Sequence, residues 1–381
     1  MGKKRTKYIL VTLLAAAILF VMLEMNFLPN LFSQSAPPKP FEILGWVIKL
    51  IRDDYVEVPD ASKTMSGAYK GLVDSLDPLS SYLDAEGVTR YRTRMRGPFL
   101  EPGLVLYKKY RAFPLIVGIE EGSPAARADL KLGTPVFALD GKSTLEMSML
   151  EIDLLLKSTA SVPVELKLDQ GTDTEELVPL EREPLYSEPF EFRESEGLSG
   201  ILKLRSLYPP LVERLKKDLV ERLKKSGKPL VLDMRNCNEG TLEQTAALIN
   251  LFLNKDNIGY LEKSGGEKQT LACTQAAELP DLPLFIWTNQ ATMGPAEMAA
   301  SVLHEHRGAK VLGAQTLGMV AQQQFFALED GSGLVLTSAI FLPTSQTAFW
   351  EKGLTPDVKI AVEDQTVSSY LQETRKLASR F

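Results

Sequence analysis

The chain has 381 residues, of which 44% are hydrophobic, 24% charged and 8% aromatic. Those proportions belong to a globular protein of about two to three domains and exclude a disordered, fibrous or polytopic membrane chain. The 43 Lys and Arg against 49 Asp and Glu give a net charge of −6, the wrong sign for a general nucleic-acid binder. Two cysteines, Cys237 and Cys273, and two histidines, His304 and His306, are too few for a disulfide framework, a four-cysteine zinc site or a histidine-rich centre. No metal and no cofactor is expected.

Lys3, Lys4, Arg5 and Lys7 precede an uncharged run from Tyr8 to Leu23. As a helix that run rises about 24 Å, and about 31 Å if continued to Leu28, close to the hydrocarbon thickness of a bilayer. Residues 1–28 therefore read as a basic stub and a transmembrane anchor. The basic flank places the N-terminus in the cytoplasm and the bulk outside, in the periplasm if the cell has two membranes. A cleaved signal peptide is the alternative, but its core would be long and no small-x-small site directly follows it. Pro29, Pro37, Pro38 and Pro40 make 29–40 an extended linker.

Leu44, Val47, Ile48 and Ile51 recur at helical spacing, and a second helix is predicted over Lys63 to Leu76 before Asp77-Pro78, so 41–96 reads as a helical region. Across 97–183 the pattern turns to short β-rich runs at Leu104–Tyr107, Leu115–Ile119, Pro135–Leu139, Val164–Leu168 and Glu176–Leu180. One helix, near Ser148–Lys157, accompanies them. Across 184–363 helix and strand alternate. A helix opened by Pro209-Pro210 runs to Ser226, followed by a strand at Pro229–Met234, a helix at Leu242–Leu253, a strand at Leu284–Thr288, a helix at Pro295–His306 and a strand at Lys310–Gly313. The series implies parallel strands covered by helices, with a site at their carboxyl ends, here Arg235–Gly240 and Asn289–Gly294. Phe325–Leu328 and Leu334–Leu342 form a hairpin about Asp330-Gly331, and 364–381 is a C-terminal helix or tail.

Several segments then match one family in order. Leu76-Asp77-Pro78-Leu79-Ser80-Ser81-Tyr82-Leu83, Gly122-Ser123-Pro124-Ala125, Leu139-Asp140-Gly141-Lys142, Leu232-Asp233-Met234-Arg235-Asn236 and Lys352-Gly353-Leu354-Thr355-Pro356-Asp357-Val358 resemble the motifs of the carboxyl-terminal processing (tail-specific) serine peptidases. The resemblance implies a helical region, a PDZ domain at 97–183, and an α/β crotonase-like (ClpP/crotonase-type) core at 184–363.

Family members use a serine nucleophile and a neutral lysine base. At the serine's place this chain has Thr292-Met293-Gly294-Pro295-Ala296-Glu297, which puts Gly294 at the nucleophile position. Thr316-Leu317-Gly318 is followed by Met319 where the lysine belongs, and a thioether accepts no proton near neutral pH. Glu239 stands at a glycine of the oxyanion turn, in Cys237-Asn238-Glu239-Gly240. The accompanying glutamine corresponds to Gln322, Gln323 or Gln324, with Gln323 taken as the remnant. No intact catalytic set remains. Thr292, Ser301 and Cys237 are the groups a rearranged site would use, although the histidines lie roughly 15 Å away along a helix. A Cys237–Cys273 disulfide stays open.

In the implied PDZ domain, Glu101 and Pro102 interrupt the glycine-rich loop that presents N–H groups to a peptide carboxylate, so preference for a free C-terminus is doubtful while strand addition survives. Gly103, Leu104, Val105 and Leu106, with Thr292 and Pro295, are the candidate peptide-binding residues. The expectation is an outward-facing, membrane-anchored pseudo-peptidase that binds peptides or partner proteins as a scaffold or regulator, with partner subunits or self-association allowed. The alternatives are an active serine-type endopeptidase with a rearranged site and a structural subunit of a membrane complex.

Overall fold

The computed structural model describes residues 39–95, 99–171, 174–185, 188–279 and 281–379. The expected anchor at 1–28 lies outside them, as do most of the linker and Gly97-Pro98. Among the described residues no helix is long and apolar enough to cross a membrane. The chain divides into two compact units, Met1–Gly67 and Ala68–Phe381. In the first, helix α1 (Lys39–Asp54) leaves Ile43, Trp46, Val47 and Leu50 exposed, and α2 (Ala61–Asp74) begins.

In the second unit the Asp77-Pro78 stop leads into a strand. The Asp77 carboxylate accepts N–H bonds from Leu79 and Ser80, both at 2.8 Å. This turn delivers β1 (Ser81–Leu83), a strand inside the region expected to be helical, before α3 (Ala85–Arg94). The β-rich domain follows with β2 (Leu104–Tyr107), β3 (Leu115–Ile119), the single turn α4 (Pro124–Arg127), β4 (Val136–Leu139), β5 (Lys142–Ser143), α5 (Met149–Leu156), β6 (Val164–Leu168) and β7 (Glu176–Leu180). β2 pairs with β3, and β5-β4-β6-β7 form a second antiparallel sheet. The boundaries match the sequence pattern because β2 and β6 alternate toward one small core of Leu104, Ile116, Leu139, Ile152 and Leu166, to which β3 and β4 also contribute. α5 starts at a capping box: Ser148 and Glu151 each accept the other's backbone N–H.

The larger domain contains β8 (Phe190–Arg193), β9 (Gly200–Leu204), a continuous helix α6 with a π turn at Lys216–Val220 between Leu211–Leu215 and Glu221–Ser226, and β10 (Leu230–Asp233). Next come α7 (Leu242–Asn250), β11 (Lys255–Lys263), β12 (Lys268–Cys273), β13 (Leu284–Thr288), α8 (Pro295–Arg307) and β14 (Lys310–Gly313). β15 (Ala321–Ala327), β16 (Gly333–Leu342), β17 (Val358–Lys359) and α9 (Val367–Ala378) complete it. The main sheet has the order β17-β14-β13-β10-β9-β8 and is parallel except for β8, as the alternating pattern implies. A second sheet joins β1 and β15 to β16, then β11 and β12. The β11–β12 hairpin, β8 and β9 were not anticipated.

Both faces of the main sheet are covered, which explains its unbroken apolar strands. Leu230, Leu232 and Ile286 face α6, α7 and α8, while Val231, Phe285 and Trp287 face α9. α9 is pinned at two buried polar points. The Tyr370 hydroxyl donates to the Thr288 carbonyl at 2.7 Å, and Trp287 Nε1–H donates to Thr374 Oγ1 at 2.9 Å. Removing only the hydroxyl with Tyr370→Phe should cost about 1 kcal/mol, whereas Tyr370→Ala should cost about 3–5 kcal/mol by leaving a cavity. Denaturant melts of the full chain would measure both; equal losses would mean that packing on the ring is unimportant.

Candidate functional site

The two segments expected to carry a site do meet. Beyond β10 and β13 the chain leaves the sheet in adjacent loops that are cross-linked by polar side chains. The Asn236 N–H donates to Asn289 Oδ1 at 3.1 Å, and Asn289 Nδ2 donates back to Asn236 Oδ1 at 2.8 Å. The Met293 N–H donates to the Cys237 carbonyl at 3.1 Å. Beneath the loops Asp233 holds Arg235 through bonds of 2.8 and 2.6 Å, and the guanidinium lies 4.8 Å from the centre of the Tyr370 ring. Burial raises the Asp233 carboxyl, but Lys203 and Arg235 outweigh it and hold the group below its ordinary range.

Gly294 ends the second loop and precedes Pro295, the first residue of α8. Its backbone has φ 55° and ψ −120°, a conformation costly for any side-chain-bearing residue and of the kind stored at functional turns. Glu297, one turn into the helix and fully buried, accepts N–H bonds from Gly294 (3.1 Å), Gly318 (2.5 Å) and Met319 (2.7 Å). Burial raises its pKa, against the pull of the Thr316 hydroxyl and those N–H groups. The carboxylate thereby sets residue 294 beside residue 319: a Cβ built on Gly294 would lie 3.6 Å from the Met319 carbonyl oxygen. The β-rich domain abuts the same place. Gly118 of β3 packs so closely that a Cβ there would fall 2.4 Å from Ala291 Cβ and 2.6 Å from Asn236 Oδ1.

Residues 199–360 match Peptidase family S41. The chain is 26% identical to the carboxy-terminal processing protease CtpA of Bacillus subtilis over 385 residues, which cover 99% of this chain and 82% of that protein. It is 28% identical to the carboxy-terminal-processing protease of Bartonella bacilliformis over 325 residues, covering 83% and 74%. By these matches the chain is similar to peptidase family S41, and residues 199–360 carry the family match. Its fold is also that of a solved photosystem II D1 C-terminal processing protease, with a TM-score of 0.69 at 20% identity over 84% of this chain and 87% of that one.

Within this S41 fold the sequence-derived positions fall as follows. Gly294 and Met319 are adjacent and buried, and neither supplies a hydroxyl or a proton acceptor. Glu239 is not a bare carboxylate in the 237–240 turn, because it pairs with Arg94 at 2.5 Å and with Lys157, both of which also contact Asp153 at 3.0 and 2.8 Å. Gln323 sits exposed on β15 and donates to the Leu79 carbonyl at 2.7 Å. Thr292 does not line a groove. It is fully buried, with its hydroxyl donating to the Met234 carbonyl and accepting from the Asn289 N–H. Ser301 is buried within α8. Both cysteines are free, so no disulfide forms, and burial pushes the Cys237 thiol up to about 12, far from a reactive thiolate. His304 bonds the Ala309 carbonyl and His306 the Thr344 hydroxyl at the far end of α8.

Gly103, Leu104, Val105 and Leu106 line a cavity of about 90 Å³ between β2 and α5, whose wall on the core side includes Asn236, Asn238 and Met293. Pro295 is half-buried beside it in sequence only. Sequence reasoning missed Arg94, Asp153 and Lys157. The one signal was Glu239 itself, since a carboxylate in a buried turn demands a cation.

Two tests follow from these groups. Glu297→Ala strands three buried N–H groups and should destabilise the chain by about 3 kcal/mol or more, with Glu297→Gln falling between it and the parent. Burial pushes the Glu101 carboxyl from 4.5 up to about 7, aided by Glu239 and Asp153 and opposed by Lys157 and Arg94. The folded chain then retains a proton that the unfolded chain has lost, so stability falls as pH rises between those two values. Asp74, also raised to about 7, contributes in the same direction. Glu101→Gln should make the slope of melting temperature against pH shallower in that window; an unchanged slope would remove Glu101 from the account.

Proposed function

We propose that this chain binds extended segments of extracytoplasmic proteins and does not hydrolyse them. Position 294 carries the reading. The turn, the helix and the neighbouring residue 319 are assembled as a catalytic centre would need them, yet the side chains there are a hydrogen atom and a thioether. Acyl transfer needs a nucleophile within reach of a base. The Thr292 hydroxyl, two residues before Gly294, is committed to two internal hydrogen bonds, and the Cys237 thiol is held protonated. What the site retains is shape: a groove beside β2 that shares a wall with Met293.

In this reading residues 97–183 act as a PDZ-like domain that accepts a peptide along β2, and 184–363 form a crotonase-like core that has kept its architecture as a binding surface. Residues 1–28 anchor the protein in the membrane with the bulk outside. A scaffold or regulator of extracytoplasmic proteins would be held near its partners by such an anchor.

The second reading is an endopeptidase with a rearranged site. The unusual backbone conformation at Gly294, of the kind found at functional turns, favours it, together with relatives named as carboxy-terminal processing proteases. The two readings separate on one measurement. The full chain in mild detergent is incubated with disordered peptides, and products are followed by mass spectrometry. No fragments are expected from the unmodified protein. Fragments that disappear in Thr292→Ala or Cys237→Ala would overturn the binding reading. In the triple variant Gly294→Ser, Met319→Lys, Glu239→Gly a serine and a lysine meet again, and cleavage is expected to appear, at a folding cost of about 1–3 kcal/mol for a side chain in that backbone conformation.

A further inference from the structure

We propose that the cavity between β2 and α5 takes an internal, extended peptide segment whose lysine or arginine side chain seats against Glu101, and that it does not select a free C-terminal carboxylate. The inference rests on the binding reading above and specifies the ligand of that site.

The backbone admits a strand. Among the described residues β2 pairs with β3 along one edge and with no strand along the other, and the open edge borders the cavity through Leu104, Val105 and Leu106. Ile152 and Leu156 of α5 supply the opposite apolar wall. An added strand would satisfy the edge's N–H and C=O groups while alternate side chains enter the groove.

The end of the groove is wrong for a carboxylate. A terminal carboxylate is held by a cluster of free backbone N–H groups or by an uncommitted cation. Leading into β2, the Leu100 N–H is taken by the Ser158 carbonyl at 2.6 Å and the Glu101 N–H by the Glu183 carbonyl at 3.0 Å, and Pro102 has no N–H. The cations at that end are committed as well. Lys157 contacts Asp153 and Glu239, and so does Arg94.

Counting charges gives the sign of the preferred ligand. Arg94 and Lys157 offset Asp153 and Glu239, which leaves Glu101 as a surplus carboxylate on the cavity wall. At the other end Glu120 is accounted for by Asn236 at 3.1 Å and Lys203 at 3.6 Å. A C-terminal carboxylate would therefore meet a like charge, whereas an ammonium or guanidinium would complete the cluster as a third cation. Burial pushes Glu101 up to about 7, with Glu239 and Asp153 adding to the shift and Lys157 and Arg94 opposing it, so a further cation seated against it would favour its charged form.

The test uses the full chain in mild detergent and fluorescently labelled short peptides of alternating valine and threonine with one central lysine. The C-terminus is free or amidated, and the lysine is kept or replaced by norleucine or glutamate. Fluorescence anisotropy should show the lysine peptide binding about tenfold more tightly than the norleucine one. Amidation should change the affinity by less than about twofold. Glu101→Gln should abolish the lysine advantage, and Glu101→Lys should transfer it to the glutamate peptide. Binding that weakens about tenfold on amidation, or a lysine advantage that survives Glu101→Gln, would overturn this inference and leave peptide binding standing. Failure of every peptide to bind both the parent and Glu101→Lys would overturn both.

Discussion

A single buried carboxylate, that of Glu297, organises the region around residues 294 and 319. It is fully buried and is satisfied by the N–H groups of Gly294, Gly318 and Met319 together with the Thr316 hydroxyl. Such a group is tolerable inside a protein only when every lone pair has a donor. It therefore imposes a geometry on all three donors at once. The start of α8 cannot shift without breaking a bond to the loop that follows β14, and that loop cannot drift without exposing an N–H. Thr316 extends the constraint by accepting the Leu354 N–H at 2.8 Å, which draws the segment before β17 into the same knot. The architecture at residues 294 and 319 thus survives without help from the side chains at those two positions.

Under the binding reading proposed above, that separation between scaffold and chemistry would let a site lose its reagents and keep its form. The costly backbone conformation at residue 294 is held by the Asn236–Asn289 pair, the Met293–Cys237 bond and Glu297. A glycine placed there relieves strain that any other residue would bear. Glu239 is different in kind, because it brings a charged group that must be accommodated. A carboxylate in a partly buried turn is destabilising unless cations meet it, and Arg94 from α3 and Lys157 from the end of α5 do so. The Glu239 carboxylate is thereby paired, although the buried Arg94 Nε is left without a hydrogen-bond partner among the described residues. An ionic contact joins the core turn to the β-rich domain through Glu239 and Lys157.

Much of this was legible in the sequence, and the limits have physical causes. β10, β13 and α8 could be read closely because apolar runs, Pro295 and the glycines after each element punctuate them, and both faces of the sheet are buried. The adjacency of Gly294 and Met319 followed from motif order. By contrast β1 is three residues long and owes its existence to β16, about 250 residues later, through the Ser81 and Val335 register; no local pattern encodes it. The β11–β12 hairpin carries exposed lysines and glutamates on a largely uncovered sheet, so its apolar alternation is weak. The Arg94, Asp153, Lys157 and Glu239 cluster draws on three separate regions. Thr292 shows the complementary failure: its hydroxyl looked available in the sequence because nothing local announces that Met234 and Asn289 claim it.

These relationships bear on how ligand preference can diverge from ancestry. In a strand-addition groove the affinity resides in backbone bonds, which tolerate almost any sequence, whereas selectivity resides in the few groups at its ends. Those end groups here are Pro102, which supplies no donor, two N–H groups already bonded to Ser158 and Glu183, and a surplus Glu101. None of these features disturbs the β2 edge or the apolar wall of Leu104, Ile152 and Leu156. The surplus charge exists because Glu239 occupies the turn on the core side and consumes the capacity of Arg94 and Lys157. The 237–240 turn and the groove end are consequently one electrostatic unit, and a glycine at position 239 would free a cation close to Glu101. Under the binding reading proposed above, the charge at residue 239 and the ligand preference at the groove end are thereby coupled through a single side chain.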